Sequence, residues 1–498
     1  MVNRSKDNTF CQNGVALLIF VIIIVLGAMS YFLSGMSVED IKQHQVESAS
    51  KSLQRAKQAL IAYAVTYGDI DGNADSMPDF PGEYGFLPCP DYNAGLAEGL
   101  EDNGNCGATG LSKIGFFPWK TLDLPVLKDI SGTCLLYAVS GEYKNDESGP
   151  SPANKTSMLN EDSNGMFQTV DEAGAVVRGT NAEDRMVAII FAPGKVLTGQ
   201  SRIFSVGSHC GLEYTSLDEY LDIGGVTDNS DVSAIANTID QFVHATADSI
   251  TDTNPNPYND RFVTITRDEI WAAIVDRADL MQKMADMTEA LAVCLSDYAT
   301  ANGNDRLPWP VATTLADYRV SVNYDDNADA APGYAGRYPY IVDDSNIDIP
   351  GPNSSSELFI EAGCNAIAVI SGATVDLQTP GSEYRVLWEN WKDHFFYAVS
   401  QDYAPDITPA VCGANCITVQ GINRAAMVVF SGSRLASEIR NEPLAGDADT
   451  KFNAANYIES INAAVFPDSS GNGIYTTVTA NDIMYCLTTA SPLTVVPC

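Results

Sequence analysis

Histidine and the common catalytic motifs are scarce in this chain of 498 residues. Only four histidines occur, His44, His209, His244 and His394. None lies in a His-Glu-x-x-His pattern, and the Gly-x-Ser-x-Gly, P-loop and dinucleotide-binding patterns are also missing. His209-Cys210 suggests a thiol nucleophile, but an external Cys210 is better explained as a disulfide partner. We therefore predict no enzyme and no catalytic residues.

Basic residues are also few. Lys and Arg number 28 against 64 Asp and Glu, which gives a net charge of -36. A surface of this sign repels phosphate backbones, so nucleic acid is excluded as a partner. The hydrophobic fraction of 45% indicates a globular chain with room for two or more domains.

The cysteines lack the CxxC spacing that a structural zinc site needs. Cys11 precedes the apolar run near the N-terminus, and the other ten form an even set, which is typical of disulfides in an oxidising compartment. Proximity favours Cys89–Cys106, Cys412–Cys416 and Cys486–Cys498 as pairs. Cys134–Cys210 and Cys294–Cys364 would complete the set, although sequence alone does not fix the connectivity.

A long apolar run stands near the N-terminus. Residues 15–33 would span roughly 28 Å as a helix, at about 1.5 Å per residue, which is enough to cross a bilayer core. Basic residues precede the run and acidic residues follow it. The pattern predicts a cytoplasmic leader (1–14), a transmembrane helix (15–35) and a periplasmic remainder.

The junction between leader and apolar run resembles the class III signal of type IV prepilins and pseudopilins. A polar leader ends in Gly14, directly before Val15 and the apolar run. The resemblance implies cleavage after Gly14 and a methylated N-terminus at Val15. Members of this family carry Glu at the fifth mature position, where this chain has Ile19. That departure favours a minor, tip-like subunit, and an uncleaved anchor remains the alternative.

The sequence after the apolar run contains an internal repeat. Six segments recur in the same order: Leu60–Gly68 with Leu295–Gly303, Leu87–Pro90 with Leu307–Pro310, Phe117–Pro125 with Tyr338–Pro350, Leu136–Ser140 with Phe396–Ser400, Arg185–Phe191 with Arg424–Phe430, and Phe262–Ile270 with Tyr475–Ile483. We infer two copies of one domain, at 36–276 and 277–498.

Each copy begins with apolar residues at helical spacing and continues into short apolar or β-branched runs typical of strands. The predicted strands are Cys134–Val139, Val187–Phe191, Phe262–Ile265, Phe395–Val399, Met427–Phe430 and Thr476–Val478. The predicted fold class is α+β: a transmembrane helix followed by two tandem pilin-like domains, each a helix on a small antiparallel sheet with disulfide-stapled loops. The resemblance to pilin heads also implies a disulfide-closed loop near the C-terminus.

One short motif is typical of a cation site. Asp69, Asp71, Asn73 and Asp75 place oxygen donors at alternate positions around a glycine, as a calcium loop requires. The twelfth position of an EF-hand count is Phe80 instead of Glu, so an EF-hand is excluded. Calcium is therefore the one cofactor that the sequence suggests, and a solvated acidic turn is the alternative.

Taken with the resemblance, these features predict a minor or tip-like structural subunit of a type IV pilus or a type II secretion pseudopilus. The expected partners are other pilins or pseudopilins, prepilin peptidase and the inner membrane. The expected location is the inner membrane, by a single span, or the cell surface once assembled. The alternative is a membrane-anchored adhesin or ligand-binding protein with a duplicated extracellular domain.

Overall fold

The computed structural model describes most of the chain after residue 37. The described residues are 18–27, 29, 38–71, 77–92, 97–102, 106–145, 158–202, 208–210, 216–223, 227–244, 258–301, 304–326, 333–343, 355–360, 363–364, 366–405, 410–442, 444–466, 468, 470–479 and 481–498. Residues 18–27 are helical. The helices that follow are α1 (Val38–Thr66), α2 (Arg267–Val275), α3 (Leu280–Ala301), α4 (Glu383–Trp391) and α5 (Ser460–Val465).

Strands outnumber helices. They are β1 (Lys113–Phe116), β2 (Leu136–Val139), β3 (Phe167–Val170), β4 (Val176–Arg178), β5 (Met186–Ala192), β6 (Asp240–Val243), β7 (Arg261–Thr266), β8 (Ala335–Arg337), β9 (Ile341–Asp343), β10 (Ser355–Glu357), β11 (Ile367–Ile370), β12 (Ala373–Asp376), β13 (Phe395–Val399), β14 (Ile417–Val419), β15 (Ile422–Arg424), β16 (Ala426–Phe430), β17 (Ile474–Tyr475), β18 (Ile483–Leu487) and β19 (Val495–Pro497).

The first large sheet is built around β5. Antiparallel pairing gives the order β1–β2–β5–β7, and β3, with β4 and β6 beside it, joins β5 at Met186. All seven residues of β5 are buried, as its unbroken apolar run leads one to expect for a strand covered on both faces.

The second large sheet has the order β8–β13–β16–β18–β19 and is antiparallel throughout. Its first four strands repeat the order of β1–β2–β5–β7. Three smaller sheets pair β9 with β10, β11 with β12, and β14 with both β15 and β17.

A glycine stands at the same place in each large sheet. Gly115 of β1 and Gly336 of β8 both pair with a tyrosine of the neighbouring strand. A Cβ on Gly115 would lie 2.8 Å from the Asp91 carbonyl oxygen, and one on Gly336 would lie still closer to that of Val311. Only glycine permits this approach of the preceding chain segment, so both sheets close their edge in the same way.

One helix covers each large sheet. Helix α1 packs on β5, β7 and α2, and α3 packs on β16 and β18. Their buried positions follow the helical repeat predicted from sequence. Both helices and both sheets contribute to one continuous apolar core, which includes Leu53, Ala56, Leu60, Ala64, Met284, Leu291, Leu295, Val187, Ile190, Tyr397 and Val428.

The predicted transmembrane helix is wrong. Within the described residues, no helix is both long enough and apolar enough to cross a membrane. The predicted single-pass inner-membrane location depended on that helix and is wrong with it.

The predicted fold class is also wrong as a whole. The structure is mixed α/β, dominated by strands in several sheets, instead of a membrane helix followed by two small heads. Part of the difference between the predicted and the observed fold comes from the loops. Three small sheets form where only irregular loops were expected, and they contain β9–β12, β14, β15 and β17. The predicted domain boundaries at 36–276 and 277–498 stay a prediction.

One predicted strand is misplaced. Residues 476–478 are not a strand, and the neighbour of β16 is β18, Ile483–Leu487. The β-branched run of threonines with Val478 was misleading because Val478 is exposed and packs on nothing in the core. Burial against β16 selects the later segment instead.

Disulfide bonding is confirmed. The described residues contain five disulfides. Three join the pairs favoured by proximity, Cys89–Cys106, Cys412–Cys416 and Cys486–Cys498, and two join the pairs that completed the set, Cys134–Cys210 and Cys294–Cys364. The last one links β18 to the end of the chain beyond β19.

Candidate functional site

The densest group of charged side chains lies inside the protein, where the two large sheets meet. It consists of Glu161, Asp162, Asp393, His394, Arg440 and Lys451, and we call it the central charge cluster. Glu161 is 6% exposed and the other five are 1% exposed or less. Charged groups are seldom buried unless they are paired, so this cluster marks a constrained site.

Two segments bring the acidic residues together. Helix α4 begins at the cap Ser382, whose hydroxyl accepts from the Arg385 amide. The helix is followed by a single 3-10 turn, Lys392–His394, that delivers Asp393 and His394 to the start of β13. From the first half, the side-chain amide of Asn160 donates to the main-chain carbonyl of Asn390 at 2.8 Å and to Asp393 Oδ1 at 2.9 Å. These bonds place the neighbouring Glu161 and Asp162 opposite His394.

His394 is at the centre of the cluster. Its Nδ1 lies 3.0 Å from Asp393 Oδ1, while Nε2 lies 3.5 Å from Asp162 Oδ2 and 3.6 Å from Glu161 Oε1. Nε2 has no hydrogen-bond partner among the described residues. The ring is held edge to face by Trp391, at 4.8 Å between centroids, and by Tyr457 at 5.4 Å.

Two cations neutralise part of the acidic charge. Arg440 Nη1 lies 3.2 Å from Glu161 Oε1, and its Nη2 donates to Glu438 at 2.8 Å. Lys451 Nζ lies 2.6 Å from Asp393 Oδ2, 3.1 Å from Glu442 and 3.7 Å from Asp162.

The proton equilibria of the cluster follow from these contacts. Burial alone would raise the pKa of Asp393, but Lys451 and His394 hold that pKa well below its ordinary range. Burial alone would lower the pKa of His394, and the carboxylates of Asp393 and Asp162 reverse this, so its pKa is raised. The cluster therefore favours positive charge at His394.

The two halves also meet through a second ion pair. The guanidinium of Arg185, at the start of β5, contacts both oxygens of Asp447, at 2.6 and 2.7 Å. Two parallel hydrogen bonds fix the relative orientation of the guanidinium and the carboxylate as well as their separation. Together with the central charge cluster, the pair holds the two sheets in one arrangement.

The residues predicted to bind calcium are only partly described. Asp69 forms a two-point ion pair with Arg277, with oxygen–nitrogen distances of 2.6 and 3.2 Å. Asp71 is exposed. Asn73 and Asp75 lie outside the described residues, as do Gly14 and Val15 of the predicted processing site. Calcium binding and processing therefore stay predictions.

The remaining histidines do not form a nucleophilic arrangement in the described structure. Both Ser208 Oγ, at 2.8 Å, and His209 Nδ1, at 3.2 Å, contact Glu98, so the serine is not bonded to the imidazole. Cys210 is in a disulfide with Cys134, so it offers no thiol nucleophile. The His244 ring lies against Phe262 at 4.6 Å.

Sequence reasoning missed the central charge cluster because its members are spread from Glu161 to Lys451. One local signal was present. Lys392-Asp393-His394 separates a helix rich in tryptophan from the wholly apolar strand β13. Three ionisable residues beside a core strand have to find internal partners.

Comparisons of this chain with protein-family models, with curated proteins and with solved structures find no match.

Proposed function

We propose that the chain is a structural subunit, of the minor or tip-like kind, in a filament of the type IV pilin or pseudopilin class. The observation that carries this proposal is the length of α1. Its 29 residues extend about 43 Å, while the strands beneath it, β5 and β7, have seven and six residues and extend about 20–23 Å. The helix is thus about twice as long as the sheet on which it packs.

A helix that is anchored at one end and projects at the other suits assembly. The C-terminal part is fixed by Leu53, Leu60 and Ala64 in the core, and the described exposed residues before it include Glu47 and Ser48. A helix that extends beyond its own sheet offers a side on which a neighbouring subunit can pack. The sequence features around Gly14 and Val15 favour the same class.

The rest of the described molecule suits a structural role. A continuous core and two sets of ion pairs connect the sheets, and five disulfides close loops within the two halves. The polar clusters act as internal cross-links between the halves. In an enzyme, by contrast, a polar cluster would face a cleft open to substrate.

The experiment that tests this proposal is mass spectrometry of the mature N-terminus. The chain is isolated from its native envelope and the N-terminal peptide is sequenced. A start at Val15, with a methylated amine, would support the pilin class, because only cleavage after Gly14 gives this end. A mature chain that starts at Met1 would reject it.

A second candidate function is ligand binding, and one cleft favours it. A cavity of about 670 Å³ lies beside β1 and is lined by Lys113, Leu217, Asp228 and Asp231 among others. Burial lowers the pKa of Lys113, and its ammonium group lies 4.0 Å from the centre of the Tyr92 ring. The size suits a small ligand. In the test, the Lys113 amine is labelled chemically with and without a mixture of small ligands. Weaker labelling in the presence of the mixture would favour ligand binding over the first candidate.

A further inference from the structure

We propose that the central charge cluster is a transition-metal site of the zinc type, in which Glu161 and Asp162 from the first half and His394 from the second half hold one divalent ion. Single oxygens of the two carboxylates and one imidazole nitrogen all lie within 4.8 Å of one another, and all three residues are buried. Imidazole and carboxylate together are donors that suit zinc.

The tautomer of His394 is the first step of the argument. Its Nδ1 lies 3.0 Å from Asp393 Oδ1, so Nδ1 carries a hydrogen and donates it. Nε2 then presents its lone pair to the two carboxylates. An imidazole that is oriented in this way by a carboxylate is the usual outer support of a metal-bound histidine.

The distances are the second step. Nε2 lies 3.5 Å from Asp162 Oδ2 and 3.6 Å from Glu161 Oε1. An N–H to oxygen hydrogen bond spans about 2.7–3.2 Å, so a proton on Nε2 would bond neither oxygen well. Ligands at about 2.0–2.1 Å around a tetrahedral ion are about 3.3–3.4 Å apart. The two nitrogen–oxygen distances are closer to the spacing of metal ligands, whereas the three ligand atoms as a set lie only within 4.8 Å of one another.

The charge balance is the third step. Five carboxylates meet in and around the cluster, and Arg440 and Lys451 contact them closely: Glu161, Asp162, Asp393, Glu438 and Glu442. Arg319 also lies 3.9 Å from Glu442, but it pairs with Asp317 at 2.9 Å and so adds no net charge. Two further buried cations, Arg337 and Lys392, donate to backbone carbonyls. With His394 neutral, the five carboxylates exceed the four cations by one, and either a proton on His394 or a bound metal ion offsets this excess.

The competing occupant is a proton on His394. Glu161 Oε1 already accepts from the Arg434 amide at 2.6 Å and lies 3.2 Å from Arg440, so an ion must share this oxygen with two donors. Metal binding would displace the Nε2 proton, and its affinity would fall as the pH is lowered. Since both halves supply ligands, the ion would also fasten the two sheets together.

The test uses the whole chain with its disulfides intact. The protein is unfolded in guanidinium and refolded, in buffer freed of transition metals, with one equivalent of Zn²⁺ or Co²⁺. Millimolar Mg²⁺ is present throughout so that the acidic surface is already occupied. We expect about one zinc per chain after gel filtration, and intense visible absorption from tetrahedral Co²⁺. Failure of the unmodified chain to retain zinc, or a weak octahedral cobalt spectrum, would overturn the proposal.

Two variants locate the site. His394→Gln should lower zinc affinity by more than the roughly 10- to 100-fold loss that follows removal of an outer-shell partner. His209→Gln is the matched control, because this histidine is exposed and distant in the sequence, and it should bind zinc normally. Equal losses in both variants would contradict the site. If His394→Gln does not fold, the cobalt spectrum of the unmodified chain decides alone.

Discussion

Removal of the Lys451 ammonium group should destabilise the protein strongly. Lys451 is buried, and its Nζ lies 2.6 Å from Asp393 and 3.1 Å from Glu442. Lys451→Met keeps most of the side-chain volume but leaves both carboxylates without this cation. Loss of one partner from a buried ion pair costs about 3–5 kcal/mol. We expect a loss in this range.

The measurement is unfolding in guanidinium with the disulfides oxidised, and tryptophan fluorescence monitors the transition. Trp391 is a local reporter, because its ring contacts the His394 ring. At a slope of about 6 kcal/mol per molar, the upper end for guanidinium, the midpoint should fall by about 0.5–0.8 M. Lys51→Met is the matched control, since its pair with Glu47 is exposed, and it should change stability by less than about 1 kcal/mol.

The pH dependence of this loss has a definite sign. The folded pKa of Asp393 is depressed, so its contribution is present above the unfolded pKa of about 3.9 and is lost as the pH falls through the folded pKa. Without Lys451 that pKa rises, and protonation then relieves the buried charge. The difference between Lys451→Met and the unmodified protein should shrink towards pH 4. A loss at pH 7 as small as that of Lys51→Met, or a loss that stays unchanged down to pH 4, would refute the description of a dry, paired cluster.

Four other changes test separate parts of the molecule. Burial raises the pKa of Glu142 to about 7, so the free energy of unfolding should fall as the pH rises from about 4.5 to 7. Glu142→Gln should remove this pH dependence and raise the free energy of unfolding at pH 8 by on the order of 3 kcal/mol, as measured by urea unfolding. Leu60→Ala, at a fully buried site on α1, should cost about 2–5 kcal/mol in the same assay. Replacement of both Cys294 and Cys364, 70 residues apart, by alanine should cost about 4 kcal/mol by chain entropy. If calcium binds near Asp71, the melting temperature should rise with Ca²⁺ more than with Mg²⁺, and Asp71→Ala should abolish the rise.

Sequence was informative where a pattern is local. The periodicity of Leu53, Leu60 and Ala64 predicted the face of α1 that is buried, and cysteine spacing suggested the three disulfides that close short loops. Apolar runs predicted β5 and β13 to within two residues. In each case a single segment contains the whole physical cause: one face of one helix, one short covalent loop or one buried strand.

Sequence was uninformative where the cause is a long-range contact. Glu161 and Arg440 are 279 residues apart, and neither belongs to a recognisable motif. The same holds for β18, because its place beside β16 depends on burial, whereas the threonine-rich residues 476–478 have the higher intrinsic strand preference.

The two large sheets differ at one edge, and this difference bears on assembly. Strand β18 pairs with β19, whereas β7 has no such neighbour among the described strands. There, Lys57 Nζ donates to the Thr264 carbonyl at 2.8 Å and forms an ion pair with Glu269, whose other oxygen accepts from the Thr266 amide at 3.0 Å. A lysine over an exposed edge prevents strand addition. Because charged groups occupy this edge, the filament that we propose would form its subunit contacts along α1 and not through continuation of the first sheet.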